Sequence, residues 1–373
     1  MNAPKDFEIP YPRVSFRRKV LDLTGRILIR LLSRVKISGL ENIPPNGPVI
    51  LAGNHVSTLE PMLLAVFPRR QVELLGAGDL PFEGLIDQIV ALYQFIPVNR
   101  GNLDRKAMNQ AFGVLQQGGV LGIFPEGGTW NPGHMKAQVG VSWLSHKAHA
   151  PVVPIGFSGF QNSFSKVLKL KRPRLKMKVG KLIPAFTVEN DDEPIKTVYQ
   201  DYADMVLQEI NKLVDPKDFL LIPEQTDYNL EVLAGKIDNA MRAVHLTSPE
   251  ALAQFLFSPI LLNSLAKNLK KPVQPLYPLE QPRWNQQFST AIEAVLDVLT
   301  DNPGFFTYRL GMEQGHHVES ALQELLALLK ATRDSNEILV INASARSKYS
   351  DGRVEEKSYR YRIPPIPEQT DQT

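Results

Sequence analysis

Hydrophobic positions along the chain follow two different periods. Between about residues 35 and 183, short apolar runs of strand length alternate with stretches in which apolar residues recur every three or four positions. The short runs predict strands at Val49–Gly53, Val72–Ala77, Phe95–Val98, Val120–Phe124, Val152–Phe157 and Leu175–Ile183. The stretches between them predict helices at Pro61–Phe67, Phe82–Leu92, Asp104–Gln117 and Ala137–Ala148. This alternation is typical of an α/β fold with a mostly parallel central sheet flanked by helices.

A helix is predicted before this region. From about Val14 to Val35, apolar residues recur at helical spacing, whereas Arg18, Arg26 and Arg30 fall largely on the other side. A basic amphipathic helix of this kind can lie in a membrane interface, with its apolar stripe in the acyl boundary and its arginines near lipid phosphates. It can equally dock on the domain and leave a solvated arginine face. The pattern alone leaves both interpretations open.

After about Asp192 the pattern becomes mainly helical. Helices are predicted at Thr197–Val214, Glu231–Val244, Pro249–Phe257, Ile260–Lys270, Trp284–Thr300 and Val318–Thr332. Two extended runs, Glu337–Ala345 and Glu356–Ile363, then flank an Asp-Gly turn, which predicts a β-hairpin followed by a mobile proline-containing tail. We therefore predict four parts: a basic amphipathic helix (1–36), an α/β domain (37–191), a helical C-terminal region (192–335) and a β-hairpin with the tail (336–373).

Composition narrows the chemistry. The chain has no cysteine, which excludes disulfides, thiolate catalysis and cysteine-based metal centres. No metal site and no cofactor is predicted. The segment Met1–Glu8 has no apolar stretch like that of a signal peptide, and no run approaches the roughly 20 apolar residues that span a bilayer. A cytoplasmic location is therefore expected, and a position on the membrane surface is compatible with it.

The basic residues are distributed unevenly along the chain. The formal net charge is only +3, yet the segment from Arg13 to Lys36 has eight basic residues and one acid, Asp22. The segment from Lys166 to Lys181 has eight basic residues and no acid. Such stretches indicate an anionic partner surface, either phospholipid or nucleic acid. Since few aromatic residues interleave the second stretch, we expect the inner face of the cell membrane and no nucleic acid.

The stretch Asn54–Pro61 carries the first candidate for chemistry. His55 stands at the end of a predicted strand, five residues before Glu60, so it can serve as a general base with an orienting carboxylate. The alternative is an ordinary strand-to-helix turn. In that interpretation Ser57 or Thr58 caps the helix and Glu60 lies in its first turn.

Two further candidates also follow predicted strands. Glu126 precedes two glycines, where backbone amides can approach a ligand, and Arg100 is suited to bidentate phosphate recognition. Lys136 is a second candidate phosphate ligand. Because ligands bind at the carboxyl ends of parallel strands, the fold could bring His55, Arg100 and Glu126 together. Taken one by one, each can also be a turn residue or a solvated surface residue.

The order of four short blocks is more specific than any one of them. Asn-His-x-x-x-x-Glu-Pro is followed by Phe-Ile-Pro-Val-Asn-Arg-Gly, Phe-Pro-Glu-Gly and Val-Pro-Ile-Gly, beginning at Asn54, Phe95, Phe124 and Val153. This series closely resembles the blocks of the glycerolipid acyltransferase family, whose members acylate glycerol-3-phosphate and 1-acylglycerol-3-phosphate. The resemblance covers about residues 39 to 184. It implies that the predicted α/β domain is an acyltransferase domain.

The resemblance also implies roles for individual residues. His55 would be the general base on the acceptor hydroxyl, which attacks the thioester of acyl-CoA or acyl carrier protein, and Glu60 would hold the imidazole. The acceptor's phosphate would bind Arg100. The other implied contacts are an acceptor site at Glu126, Gly127, Thr129 and Lys136, and an acyl-site wall at Val152, Val153, Pro154 and Ile155.

The chain departs from the family pattern at two positions. The family usually has aspartate where this chain has Glu60, and it often has Glu-Gly-Thr-Arg where this chain has Glu126-Gly127-Gly128-Thr129. We therefore expect acyl transfer to 1-acyl-sn-glycerol-3-phosphate or a related lysophospholipid, in phospholipid biosynthesis. The alternative is a lipid-binding or accessory protein on the membrane surface whose acyltransferase core is weak or inactive.

Overall fold

A computed structural model of the protein describes most of the chain. The described residues are 9–13, 16–77, 92–98, 104–127, 137–188, 194–219, 223–236, 240–258, 261–262, 265, 273–277, 284–301, 303, 305–306, 310 and 312–365. The chain divides into two compact units, Met1–Ile222 and Pro223–Thr373. The division into four parts stays a prediction. The predicted helix Phe82–Leu92 lies outside the described residues up to position 91, and the predicted tail lies outside them from 366 on.

The first unit is built on a seven-stranded sheet. Its strands are β1 (Arg34–Ser38), β2 (Val49–Gly53), β3 (Val72–Ala77), β4 (Ile96–Val98), β5 (Val120–Ile123), β6 (Val152–Ser158) and β7 (Arg174–Val179). Their order across the sheet is β1-β7-β6-β2-β5-β3-β4. Only the β6–β7 pair is antiparallel among these neighbours, so the predicted, mostly parallel sheet is confirmed.

Helices flank this sheet, as predicted. They are α1 (Phe16–Leu32), α2 (Leu59–Val66), α3 (Arg105–Gln116), α4 (Gly140–Ala148), α5 (Ser163–Leu168), α6 (Ile195–Asn211) and α7 (Pro216–Phe219). Several features differ from the sequence prediction. The first helix ends at Leu32, because Val35 belongs to the edge strand β1. The strand β1 and the short helices α5 and α7 are not among the predicted elements.

Strand β2 lies at the centre of the sheet with both faces covered. All of its residues are buried, since helices pack on both sides of the sheet. One face belongs to the core that includes Leu63 and Leu64 of α2, and on the other face α4 and α6 lie against the strand. At the end of the strand, a side chain at Gly53 would approach the Phe157 ring to 2.7 Å, so only glycine fits there. The strand end that precedes His55 is therefore held rigidly by its neighbours.

Helix α1 docks through Arg18, Arg26 and the apolar residues Leu21 and Ile29, and its other apolar face is exposed. The Arg18 guanidinium is buried and donates hydrogen bonds to both carboxylate oxygens of Glu73, at 2.7 and 3.0 Å. Arg26 donates to the Val66 carbonyl. The helix is therefore docked on the domain, and its arginines are divided between buried Arg18 and exposed Arg17 and Arg30. The exposed apolar residues of α1 are Phe16, Val20, Leu23, Ile27, Leu28 and Leu31.

The second unit combines helices with a four-stranded antiparallel sheet. Its strands are β8 (Pro223–Gly235), β9 (Arg242–Val244), β10 (Ile338–Tyr349) and β11 (Val354–Ile363), in the order β11-β10-β8-β9. Its helices include α8 (Pro249–Leu256), α9 (Phe288–Asp301) and α10 (Met312–Asp334). The predicted hairpin is confirmed by β10 and β11. The predicted helix Glu231–Val244 is wrong, because β8 and β9 occupy that segment.

The physical reason for this error is visible in the burial of β8. Leu230, Val232 and Ala234 alternate with more exposed residues, which is the period of a strand with one covered face. Val232 and Leu233 also pair with Ile341 and Val340 of β10, a partner more than a hundred residues away in sequence. Long-range pairing of this kind leaves little trace in a local pattern.

No helix among the residues that the structure describes is long and apolar enough to cross a membrane.

Replacing Glu73 tests the docking of α1. Glu73→Ala removes the carboxylate paired with the buried Arg18, so we expect the free energy of unfolding to fall by about 3–5 kcal/mol. Chemical denaturation of the full chain measures this value. Glu209→Ala is the matched control, because its partner Lys212 is largely exposed and such a pair contributes about 0–1 kcal/mol. Equal losses in the two variants would contradict the structural role of the buried pair.

Candidate active site

The site lies in the loop between β2 and α2, residues Asn54 to Thr58. A central strand that ends at Gly53 delivers this loop to the carboxyl edge of the parallel strands, where α/β folds bind ligands. Helix α2 begins at Leu59, with Glu60 and Pro61 in its first turn. The two candidate residues, His55 and Glu60, therefore stand on opposite sides of a tight strand-to-helix connection.

Glu60 is completely buried and folds back over this loop. Its carboxylate accepts hydrogen bonds from the backbone N–H groups of Val56 and Ser57, at 3.2 and 3.0 Å. One oxygen, Oε2, lies 3.6 Å from His55 Nδ1. Burial raises the pKa of the Glu60 carboxyl, and the neighbouring His55 opposes that shift. The structure thus brings the two residues together and also places Glu60 in the first turn of α2, as in the alternative interpretation, whereas Thr58 at the N-cap makes no side-chain capping bond.

His55 is held by contacts on both its ring and its backbone. The ring stacks on Phe124, with centroids 4.5 Å apart and planes 29° from parallel. Its Nδ1 atom is buried and faces Glu60 at a distance longer than an ordinary hydrogen bond. The side chain is 18% exposed, so the exposed surface belongs to other atoms of the side chain. An imidazole with one nitrogen facing a carboxylate and an otherwise accessible ring is suited to general-base chemistry.

Glu126 joins the site from the end of β5. Its Oε2 atom accepts a hydrogen bond of 3.2 Å from the backbone N–H of His55. Burial raises the pKa of Glu126 to about 8, the His55 N–H lowers it, and the nearby Glu60 raises it further. The carboxyl therefore keeps its proton at neutral pH and can donate a hydrogen bond. Gly127 follows in a tight turn with a φ of 74°, a conformation that glycine adopts without strain.

Asn54 is a site residue that the sequence reasoning missed. Its side-chain amide accepts from the Phe157 N–H at 2.7 Å and donates to the Phe157 carbonyl at 3.1 Å. These two bonds attach the start of the loop between β2 and α2 to β6. The only sequence signal for this role is the position of asparagine directly before His55. The sequence likewise predicts Phe124 only as the last residue of a strand, because its stacking on His55 is visible only in the folded structure.

The predicted acyl wall, Val152 to Ile155, lies on β6 beside β2. Gly53 and Ile155 are paired at the end of β2, close to the site loop. All four side chains are buried, and those of Val153 and Ile155 belong to the core on the α2 side. The role of this strand in lining an acyl site stays a prediction. Arg100, Thr129 and Lys136 lie outside the described residues, so their roles also stay predictions.

A last contact connects the loop to a second segment of the chain. The hydroxyl groups of Ser57 and Ser163 are 3.0 Å apart, and Ser163, the first residue of α5, is buried. Helix α5 is therefore fastened directly to the loop that carries His55. Among the described residues, no cluster of three histidine or acidic side chains is arranged to hold a metal ion.

The fold and this site together define an α/β acyltransferase domain. Residues 34–158 match the family model described as Acyltransferase, and this segment belongs to that family. The bovine 1-acyl-sn-glycerol-3-phosphate acyltransferase alpha, from Bos taurus, is 27% identical over 177 residues, 43% of this chain and 58% of the relative. The 1-acyl-sn-glycerol-3-phosphate acyltransferase of Borreliella burgdorferi is 25% identical over 136 residues, 36% of this chain and 54% of the relative.

These similarities confirm the family that the sequence blocks indicate. The chain spans just over half the length of these two relatives. The crystal structure of the 1-acyl-sn-glycerophosphate (LPA) acyltransferase PlsC from Thermotoga maritima is 17% identical and covers 52% of this chain and 79% of that chain, with a TM-score of 0.38. The matched segment ends within β6, so the second unit lies outside the family model.

The raised pKa of Glu126 predicts a pH dependence of stability. Between pH 4.5 and about 8 the folded protein keeps a proton that the unfolded chain releases, so stability falls as the pH rises through this window. The expected slope is about 1.4 kcal/mol per pH unit from this group, and Glu126→Gln should remove it. Urea unfolding at a series of pH values measures the slope. Glu209→Gln, at a partly exposed position outside the site, should keep the wild-type slope, and identical slopes in all three proteins would contradict the prediction.

Proposed function

We propose that the protein is an O-acyltransferase. It moves a fatty acyl group from a thioester donor to the free hydroxyl of 1-acyl-sn-glycerol-3-phosphate or a related lysophospholipid, in phospholipid biosynthesis. The observation that carries the proposal is the His55–Glu60 pair at the carboxyl edge of a parallel sheet, within a segment of the acyltransferase family. The names of the relatives supply the acceptor class.

The proposed reaction is a direct transfer without an acyl-enzyme. The nitrogen of His55 that does not face Glu60, Nε2, takes the proton of the acceptor hydroxyl as its oxygen attacks the thioester carbonyl carbon. The carbon–sulfur bond then breaks, and the leaving thiolate receives the proton from the imidazolium. The buried carboxylate of Glu60 holds the ring tautomer and stabilises the imidazolium while it exists. No cofactor takes part beyond the donor, which is acyl-CoA or acyl carrier protein.

Glu126 serves this reaction in two ways. Its carboxyl accepts the His55 N–H and so fixes the backbone that carries the base. Since burial keeps it protonated near neutral pH, it can donate a hydrogen bond to an oxygen of the acceptor. In the proposed site Arg100 binds the acceptor's phosphate, with Gly127, Thr129 and Lys136 as further contacts. Val152 to Ile155 form the wall of the acyl site.

The proposed place of work is the surface of an anionic membrane, on its cytoplasmic side. Helix α1 supports this, because it presents Phe16, Leu23 and Leu31 with 81%, 62% and 61% of their surface exposed. Exposed apolar side chains next to basic residues suit the boundary between lipid headgroups and acyl chains. A lysophospholipid acceptor resides in that boundary, so the same surface supplies the substrate.

One observation favours a second candidate function. Nδ1 of His55 and Oε2 of Glu60 are 3.6 Å apart, which is longer than a hydrogen bond, and the second unit has no assigned role. A lipid-binding or accessory protein with a weak or inactive acyltransferase core would share these features. Vesicle binding without thioester consumption, across several donors and acceptors, would favour this candidate over the enzyme.

Replacing His55 tests the proposed chemistry. His55→Ala should lower kcat by about 10²–10⁴-fold, because the general base is lost while the buried fold is kept. Release of free thiol from acyl-CoA in the presence of lysophosphatidate measures turnover, and mass analysis identifies the product. His149→Ala, which changes a histidine outside the site, is the control and should retain full turnover. Unchanged turnover in His55→Ala would refute the mechanism.

Replacing Arg100 tests the proposed phosphate contact. Arg100→Ala should raise KM for a phosphorylated acceptor by about 10–100-fold with a smaller change in kcat, because a charge-assisted contact to substrate is lost. Initial rates with 1-acylglycerol-3-phosphate and with an uncharged monoacylglycerol distinguish the effect. An equal loss with the two acceptors would exclude the phosphate role.

A further inference from the structure

The connection between β6 and β7 carries an exposed segment that the proposed chemistry does not use. It runs from Lys166 in α5 to Arg174 at the start of β7, and we call it the leucine loop. The exposed fractions of Leu168 and Leu170 are 66% and 72%. Packing within the domain does not explain two strongly exposed leucines that are separated by a single residue.

The backbone of the leucine loop is held in an uncommon conformation. Helix α5 ends in a double turn in which Leu170 N–H donates to the Val167 carbonyl at 2.9 Å and Lys171 N–H donates to the Lys166 carbonyl at 2.8 Å. This motif places its central residue in the left-handed region, where glycine is usual. Here the position is Leu170, with a φ of 54°, and Arg172 has a φ of 45°. A leucine that is both exposed and left-handed contributes nothing to the core that would offset its strain.

The charges of the leucine loop have one sign. Lys166, Lys169, Lys171, Arg172 and Arg174 are all exposed, and the sequence from Lys166 to Lys181 contains no acid. Lys176 and Lys178, further along β7, share the carboxylate of Asp215 at 2.5 and 3.3 Å. Within the part of the chain that the structure describes, the five residues of the loop form no ion pair with a carboxylate. Their charge is therefore available to an anionic partner.

The leucine loop also adjoins α1 and the site. The Arg34 N–H, just after α1, donates to the Pro173 carbonyl at 2.8 Å, and β1 pairs with β7 from Arg34 and Arg174 onward. The C-terminal end of α1 therefore lies beside the end of the leucine loop, where β1 and β7 begin. At its other end, α5 is tied through Ser163 to Ser57 of the loop that carries His55.

We propose that the leucine loop docks on the surface of an anionic phospholipid bilayer, with Leu168 and Leu170 inserted among the acyl chains and the basic residues on the phosphates. The occupant is a bilayer because exposed leucines and exposed basic residues occur together in the loop, and a polyanion such as nucleic acid does not require the leucines. The inference rests on the proposed function for its meaning. A lysophospholipid would reach the site from the bilayer surface, because α5 connects the leucine loop to the loop that carries His55.

Vesicle sedimentation of the full chain tests the docking. Binding is measured to vesicles of phosphatidylcholine alone and of phosphatidylcholine and phosphatidylglycerol in equal parts. The double variant Leu168→Ala with Leu170→Ala should bind the anionic vesicles about tenfold or more weakly, since two apolar side chains are lost. Ile195→Ala, at an exposed apolar position of α6, is the matched control and should bind like the wild type. Equal binding by wild type and double variant would overturn the proposal.

A second variant tests insertion directly. Leu170→Trp should show a blue-shifted emission and quenching by brominated lipid in anionic vesicles, whereas Ile195→Trp should show neither. Identical behaviour of the two tryptophans would overturn the proposal, as would binding of the wild type to duplex RNA with none to anionic vesicles. Thermal unfolding of each variant should match the wild type, because both leucines are exposed.

The vesicle-binding experiment does not depend on acyl transfer. The Leu168→Ala, Leu170→Ala protein should keep full turnover on a monomeric, short-chain acceptor and lose turnover on acceptor presented in anionic vesicles. If no protein transfers acyl groups, the proposed function fails, yet the sedimentation result still decides the role of the loop. If turnover on vesicles and vesicle binding are both unchanged in the variant, the docking proposal fails and the proposed function stands.

Discussion

Burial of the Glu60 carboxyl is the constraint on which the candidate site depends. A carboxylate without exposed surface is costly unless hydrogen bonds and a neighbouring charge compensate it. Two backbone N–H groups and the facing His55 provide that compensation, and in doing so they set the shape of the loop between β2 and α2. Asn54 and Glu126 then tie the loop to the neighbouring strands. His55 is thus positioned by groups on three adjacent strand ends.

A second buried ion pair governs the first helix. Because Arg18 and Glu73 satisfy each other inside the domain, α1 can dock with a buried arginine and leave six apolar residues exposed. Leu21 and Ile29 of the same helix pack on the core of the domain. The exposed apolar residues suit the proposed contact with lipid. The leucine loop beside the end of α1 extends the same combination of exposed leucines and cations.

Much of the first unit could be predicted from local pattern. Short apolar runs bounded by turns predicted β2, β3, β5 and β6 within a residue at each end, because strands buried on both faces read as continuous apolar runs. The segment Glu231–Val244 was mistaken for a helix, since pairing with distant β10 decides its structure. Asn54 and Phe124 were missed for the same reason, because their partners, Phe157 and His55, are far away in sequence.

The sequence by itself determined the family, the α/β class and the identity of the pair His55 and Glu60, because residue type, spacing and block order are properties of the chain alone. Only the tertiary structure decided the surroundings of that pair. Burial raises the pKa of the Glu60 and Glu126 carboxyls, and burial is a property of the whole fold. The fold also decided that Glu60 both faces His55 and accepts hydrogen bonds from two backbone N–H groups of the loop before α2, because those groups meet only when the strand, the loop and the helix are in place.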